Sequence, residues 1–410
     1  YYTIKQLWSP VQVMNTAIDR NFDGKLSVEN RYDYLNLNTC RFIWQQVKFP
    51  SVTDASNTTT RILKQGEVQG SDVAAHGAGV VDIKTSILPE ADALFLTVID
   101  KYGYELWRWT FPVDKLNRET EQFSASSGRA SYTETEKGIT VKANGRTFVF
   151  SKKDGQLKDV SVNNRKISFA NGPRFIGARR ADRSLDQFYN HDDEKAKAKD
   201  RTYSEFTDAA VFTKLDVKEE GGNLILTANY KLGNLDKAQW TIHPDGMATL
   251  DYTYNFSGVV DLMGICFDYP EEQVLSKRWL GAGPYRVWQN RIHGAQYDIW
   301  ENDYNDPIPG ETFTYPEFKG YFGSVSWMSI RTKEGTISLT NETPDSYIGV
   351  YQPRDGRDRL LYTLPESGIS VLNVIPPVRN KVNSTDLCGP SSQPKWVDGP
   401  QTGRLVLRFE

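Results

Sequence analysis

Two-residue alternation of apolar and polar positions runs through almost the whole chain, and helical spacing is scarce. Lys25–Leu35 reads K-L-S-V-E-N-R-Y-D-Y-L, and Thr140–Ser151, Leu224–Leu232, Ala248–Phe256 and Arg404–Phe409 repeat the pattern with Val, Ile, Thr, Tyr and Phe prominent. A period of two places one face of a strand on a core and the other in water. Between these segments stand turn signals: Asp23-Gly24, Lys153-Asp154-Gly155, Glu220-Gly221-Gly222-Asn223, Pro244-Asp245-Gly246 and Asp355-Gly356. Glycine supplies the positive φ that hairpin turns demand. The pattern predicts an all-β fold.

The rhythm breaks once. The aromatic strand Glu105–Phe111 gives way to the polar stretch Lys115–Arg129. A domain boundary is expected there. Residues 1–113 have the size and strand spacing of an immunoglobulin-like β-sandwich, residues 114–130 read as a linker, and 131–410 as one large multi-sheet β domain. Ala178–Phe206 carries the charge run Asp192–Arg201 and reads as a solvated loop or short surface helix. The chain shows no repeat of about 20–50 residues, so propellers and solenoids are not expected.

Composition narrows the function classes. The 410 residues are 39% hydrophobic, 12% aromatic and 25% charged, with a net charge of -3, which excludes disorder, collagen and coiled coil as the main state. The longest apolar stretches, Ala93–Ile99 and Val259–Phe267, are broken by polar or glycine residues and fall short of the roughly 18 residues a span needs, so no membrane is expected. Lacking a basic block, the chain is not expected to bind nucleic acid. Cys40, Cys266 and Cys388 lie far apart, which argues against a disulfide framework or a zinc site. The compartment stays open and leans to a periplasmic or extracellular bacterial setting. The start, Tyr1-Tyr2-Thr3, reads as that of a fragment or processed product.

Several motifs tempt a chemical reading. Asp19-Arg20-Asn21-Phe22-Asp23-Gly24 resembles half of a calcium loop, but the closing ligand position is Asn30 and not Glu, so a hairpin turn is expected. Gly281-Ala282-Gly283-Pro284 lacks the third glycine and the helix of a dinucleotide site. No cofactor and no metal are expected. Asp182, Asp186, Asp298, Glu301, Asp303 and Glu317 are carboxylates of the kind paired in glycoside hydrolysis, which requires separations that sequence does not reveal. His76, His191, His243 and His293 are scattered, and no G-x-S-x-G elbow occurs. Catalytic residues are therefore not assigned.

Aromatic density is the strongest local signal. Tyr285, Trp288, Tyr297, Trp300, Tyr304, Phe313, Tyr315, Phe318, Tyr321, Phe322 and Trp327 crowd one region, with Arg286, Asn290, Arg291 and Glu317 interleaved. Flat rings fit the C–H face of a sugar and planar polar groups fit its hydroxyls. The same rings also serve to fill a wide β core.

The segment Trp279-Leu280-Gly281-Ala282-Gly283-Pro284, continuing through Asn290-Arg291 to Gly294-Ala295, resembles the W-x-G-x-G-P…D-R…G-A motif in the C-terminal domain of family 2 glycoside hydrolases of the β-galactosidase type. Tyr2–Pro10 with Gly24–Asp33, then Ala93–Leu96 and Glu105–Trp107, resemble the sandwich after that family's catalytic barrel. Thr147–Ser151 with Asp154-Gly155, and Gly403–Phe409, resemble the first and last strands of its terminal domain.

The resemblance implies an immunoglobulin-like sandwich followed by a galactose-mutarotase-like super-sandwich. It also implies that the catalytic glutamates lie on a (β/α)₈ barrel, a pattern this sequence lacks. In such enzymes the terminal domain adds one wall of the active-site mouth, including a Trp on a late Gly-rich loop. The matching loop is Thr385–Trp396, which makes Trp396 the expected sugar-stacking residue. Where the family has Glu, Tyr and Asp, this chain has Arg286, Trp288 and Asn290, a more positive set suited to a uronic-acid-bearing glycan.

The expected function is thus the non-catalytic, C-terminal portion of a retaining family 2 glycoside hydrolase, inactive alone. Its site residues are Trp396, Trp288, Arg286, Asn290, Arg291 and Glu317. Its partners are a carbohydrate substrate and an upstream catalytic barrel of the same polypeptide, and a homo-oligomer is left open. An independent carbohydrate-binding protein, or a mutarotase-like lyase or epimerase using His243 or His293, are the alternatives.

Overall fold

The structure is a computed structural model and describes residues 1–54, 59–113, 128–180, 203–206, 208–303, 320–343, 345–350, 367–377 and 389–410. Among them the chain is nearly all β. It divides into two compact units. The first holds Tyr1–Asn117 together with Leu280–Pro284 and Ile292–Trp300; the second holds Arg118–Trp279, Tyr285–Arg291 and Glu301–Glu410.

The first unit opens with a short helix, α1 (Tyr2–Leu7), followed by β1 (Val11–Val13), β2 (Lys25–Asn30), β3 (Arg41–Lys48), β4 (Arg61–Gln69), β5 (Ala78–Asp82), β6 (Ala93–Ile99) and β7 (Glu105–Pro112). Two sheets result, in the orders β1-β2-β5 and β4-β3-β6-β7. One core of Val11, Leu26, Val28, Phe42, Leu94, Leu96, Val98 and Trp107 lies among them. The helix is not visible in the alternation, and none of its residues is buried. It is tied down by polar contacts, Lys5 to Glu105 at 2.7 Å and the Thr3 hydroxyl donating to the His293 carbonyl at 2.9 Å.

β2 stops at Asn30, short of the Leu35 that the alternation suggests. The reason is the Asn30 side chain. It is fully buried, donates to the carbonyls of Leu35 and Val73 at 2.9 Å each and accepts the Tyr32 N–H at 3.0 Å. An Asn that captures the backbone two residues on converts a strand into a turn. The calcium-like stretch is part of the connection between β1 and β2. Asp19 accepts the Asn21 N–H and Asp23 the Lys25 N–H, and Gly24 takes φ +90°, so these carboxylates serve the turn itself.

The later stretches of this unit pack on β7. Arg108 donates to Gln296 at 2.9 Å and to Asp298 at 3.0 Å, Thr60 also donates to Asp298, and the guanidinium lies 4.8 Å from the Phe95 ring. Asp298, a carboxylate flagged for hydrolytic chemistry, is therefore an ion-pair partner here.

The second unit has many more strands. They are β8 (Ser131–Glu134), β9 (Gly138–Ala143), β10 (Arg146–Ser151), β11 (Leu157–Val162), β12 (Arg165–Ile167), β13 (Ala170–Arg180) and β14 (Tyr203–Glu205). After these come β15 (Val211–Glu220), β16 (Asn223–Lys231), β17 (Leu235–Ile242), β18 (Ala248–Val260), β19 (Leu262–Asp268), β20 (Val274–Gly283), whose residues from Leu280 on belong to the first unit, and β21 (Gln296–Asp303), whose residues from Glu301 on belong to the second. The last are β22 (Phe322–Gly323), β23 (Trp327–Thr332), β24 (Thr336–Asn341), β25 (Tyr347–Val350), β26 (Ile369–Val374) and β27 (Lys395–Phe409). One sheet runs β22-β25-β26-β19-β13-β11-β10-β9-β8, with β12 on β11 and β14 on β13. The other runs β15-β16-β17-β18-β27-β24-β23-β20-β21.

Thr140–Ser151, read as one alternating run, is a hairpin. Asn144 and Gly145 take φ 42° and 75° and form the two-residue turn between β9 and β10, as an Asn-Gly pair is built to do. β19 is buried on both faces, Leu262 through Phe267, which explains an apolar run without alternation. Aromatic rings fill the space between the two large sheets. Trp240 on β17 meets Phe150 on β10 at 5.8 Å and Phe267 on β19 at 6.0 Å, and Phe169 stacks on Phe267 at 4.5 Å.

Candidate functional site

The expected site residues divide into core, clamp and surface. Trp288 is 1% exposed, and its ring meets Tyr321 edge-on at 5.7 Å. It therefore offers no face to a sugar; a bulky ring inside a β domain is worth more as core, about 1.5–3 kcal/mol of burial. Tyr321, Phe322 and Trp327 are buried in the same way. Arg286 is 5% exposed, so it presents little guanidinium to an acidic glycan, and the case for a uronic-acid substrate loses its footing. Glu317 lies outside the described residues, as do Asp182, Asp186, His191, Tyr304, Phe313, Tyr315, Phe318, Cys388 and the charge run Asp192–Arg201.

What remains is a loop joined to a loop within the second unit. Trp288 and Arg291 exchange backbone hydrogen bonds, Arg291 N–H to Trp288 carbonyl at 2.9 Å and Trp288 N–H to Arg291 carbonyl at 3.4 Å, closing a tight turn. The turn presents Gln289 and Asn290. Gln289 Nε2 donates to the carbonyls of Ser391 and Gln393 at 3.0 and 2.7 Å, and its N–H donates to the Pro376 carbonyl at 3.1 Å. Asn290 Nδ2 donates to the Ser392 hydroxyl at 3.1 Å. Pro390–Ser392 forms a single 3-10 turn and leads directly into β27, on which Trp396 pairs with Val259. Trp396 is 69% exposed. Arg291 is exposed beside the turn.

The arrangement holds an aromatic face in water on a backbone that is fixed from behind. An exposed indole is an open apolar platform, and side-chain amides that fix its approach lower the entropy cost of using it. Gln289 was silent in the sequence, because a glutamine between Trp and Asn reads as an ordinary polar loop residue. Gln289→Ala is expected to raise hydrogen exchange at the Ser392 and Gln393 amides about tenfold, the scale of one to two lost hydrogen bonds. Unchanged exchange there would show that the clamp is idle.

The other chemical candidates are occupied by structure. His243 is buried and shares a 2.9 Å hydrogen bond with the Thr249 hydroxyl; burial holds its pKa below the usual histidine range, so the ring is neutral near pH 7. Gly281 and Gly283 serve Trp300. Its Nε1 donates to the Gly281 carbonyl at 3.1 Å, and a Cβ on Gly283 would collide with the indole ring. Cys40 and Cys266 are buried and form no disulfide. Among the described residues no group of three His, Cys, Asp or Glu side chains is placed to hold a metal ion, and no helix is long and apolar enough to cross a membrane.

Fold and surface together define an all-β sandwich protein that carries a clamped, solvent-facing tryptophan. Residues 142–372, more than half of the chain, match the protein family described as Beta galactosidase small chain. The chain belongs to that family. Among solved structures it is similar to galactose 1-epimerase from Lactobacillus acidophilus NCFM, at 11% identity and a TM-score of 0.39 over 69% of this chain and 99% of that one. It is also similar to the protein HI1317, at 9% identity and a TM-score of 0.31 over 69% of this chain and 100% of that one. A copper-containing benzylamine oxidase from Hansenula polymorpha aligns at 7% identity and a TM-score of 0.28 over 91% of this chain and 77% of that one. A search of the curated proteins found no match.

Proposed function

We propose that this chain shapes the rim of the active site of a β-galactosidase-like glycoside hydrolase, in which the hydrolytic carboxylates come from a barrel-bearing portion outside the chain. Trp396 is the residue that meets the sugar. The supporting observation is its 69% exposure at the end of a loop that Gln289 and Asn290 hold through three side-chain hydrogen bonds. Retaining hydrolysis needs two carboxyl groups about 5–5.5 Å apart flanking the scissile bond. The described carboxylates flagged for that role do other work or stand alone: Asp298 is paired with Arg108, and Glu301 and Asp303 are exposed on β21.

On this reading the indole supplies stacking to the C–H face of a terminal sugar and excludes water from one side of it, while chemistry proceeds on the barrel. The chain alone, supplied with an aryl β-galactoside, is expected to release no phenol above the uncatalysed rate. Clear turnover by the purified chain would overturn the assignment of a rim without catalysis.

A further inference from the structure

The nine-stranded sheet has a second face, and its register places a compact polar array there. Gln239 lies opposite Asp251, and Lys237 opposite Thr253, across β17 and β18. Asp251 lies opposite Arg404, and Thr253 opposite Thr402, across β18 and β27. Directly paired residues share a face, so Gln239, Asp251 and Arg404 form one row and Lys237, Thr253 and Thr402 the next. Their neighbours Ala238, Trp240, Leu250 and Tyr254 point to the core and are buried.

An outer sheet face is ordinarily flat and wet. This one is recessed into a cavity of about 340 Å³ lined by those six residues together with Tyr252, Gly403 and Glu342. Glu342 comes from the segment after β24 and is held in place by the backbone. Its N–H donates to the Arg404 carbonyl at 3.0 Å, and the Arg404 N–H donates to the Thr343 hydroxyl at 3.1 Å. The Arg404 guanidinium then bridges two carboxylates, Asp251 at 3.0 Å and Glu342 at 3.2 Å.

We propose that this recess binds a single neutral sugar ring through its hydroxyls, at a site separate from Trp396. The two cations, Lys237 and Arg404, balance the two anions, Asp251 and Glu342, so the cavity favours neither an anionic nor a cationic ligand. What the array offers is donors beside acceptors: guanidinium, ammonium and amide N–H groups next to carboxylate, amide and hydroxyl oxygens. A vicinal diol, in which each oxygen both donates and accepts, matches that alternation, and bonds to charged groups are the strong ones. The volume sits at the small end of ligand sites, which fits one ring and not an oligosaccharide. Tyr252 is buried, so recognition here runs through hydroxyls and not through stacking.

Saturation-transfer NMR on the whole chain with D-galactose, D-glucose and D-galacturonate as probes tests the proposal. Transfer to the two neutral sugars is expected in the wild type and, undiminished, in Trp396→Ala. Glu342→Gln and the double variant Gln239→Ala, Thr253→Ala should each weaken neutral-sugar binding about fivefold or more. All four positions lie outside the core, and an unchanged melting temperature confirms that the variants fold. The proposal is overturned by absence of transfer at tens of millimolar sugar, by equal binding in the cavity variants, or by tighter binding of galacturonate than of galactose. Loss of transfer in Trp396→Ala alone would assign the sugar to the rim and remove this site.

Discussion

Replacing Trp240 by Ala is expected to cost the second unit about 3–5 kcal/mol, the range for deleting a large ring from a packed core. Trp240 is fully buried and touches Phe150 and Phe267, so one side chain from β17 is packed against β10 and β19 of the other large sheet. The cavity left behind would have the Phe150 and Phe267 rings in its wall, and a packed core relaxes only partly into such a space. Trp240→Phe should cost less than half as much. It keeps most of the volume, and among the described residues the indole N–H has no acceptor, so its removal relieves a desolvation penalty of about 1–3 kcal/mol. Urea unfolding of the two variants against wild type measures both. A loss below about 1 kcal/mol in the Ala variant would show that the two sheets do not depend on this contact.

The second large effect concerns activity. If the proposed rim function holds, Trp396→Ala in the chain assembled with a barrel-bearing portion of the family is expected to lower kcat/KM for an aryl β-galactoside about tenfold or more, which corresponds to about 1.4 kcal/mol of transition-state binding. Trp396→Phe should retain most of it, because a smaller ring still presents a face. The indole is 69% exposed and contributes little to the core, so its loss should leave the unfolding midpoint in place. An equal fall in stability and activity would instead mark Trp396 as a packing residue.

The strands were legible in the sequence because period-two alternation is a direct imprint of one wet and one dry face, as in Leu224–Leu232 and Ala248–Phe256. Three kinds of feature were not. The helix at Tyr2–Leu7 has no buried face and so leaves no apolar spacing to read. The Asn144-Gly145 turn is masked inside a run whose flanking strands, β9 and β10, have the same alternation in register with each other. The aromatic cluster and the family resemblance make Trp288 and Arg286 candidate substrate contacts, yet both are buried, since neither signal reports which side of a loop faces inward.

Of the candidate site, Trp396 is expected from the family resemblance alone, and the structure shows its side chain exposed. Asn290, expected at the substrate, donates to Ser392. The clamp by Gln289 depends on contacts across about 100 positions of sequence, between the turn at 288–291 and the 3-10 turn at 390–392, and such pairing has no local signature. The same holds for the polar recess. Lys237, Gln239, Asp251, Thr253, Thr402 and Arg404 become neighbours only through the pairing register of β17, β18 and β27.

A rim role for this chain is tested by aryl β-galactoside turnover in three preparations: this chain alone, the barrel-bearing portion of a family member alone, and the two assembled. No turnover is expected from the chain, low turnover from the barrel portion, and a rise on assembly that Trp396→Ala removes in large part. Turnover by the chain alone, or an assembled rate indifferent to Trp396, would contradict it.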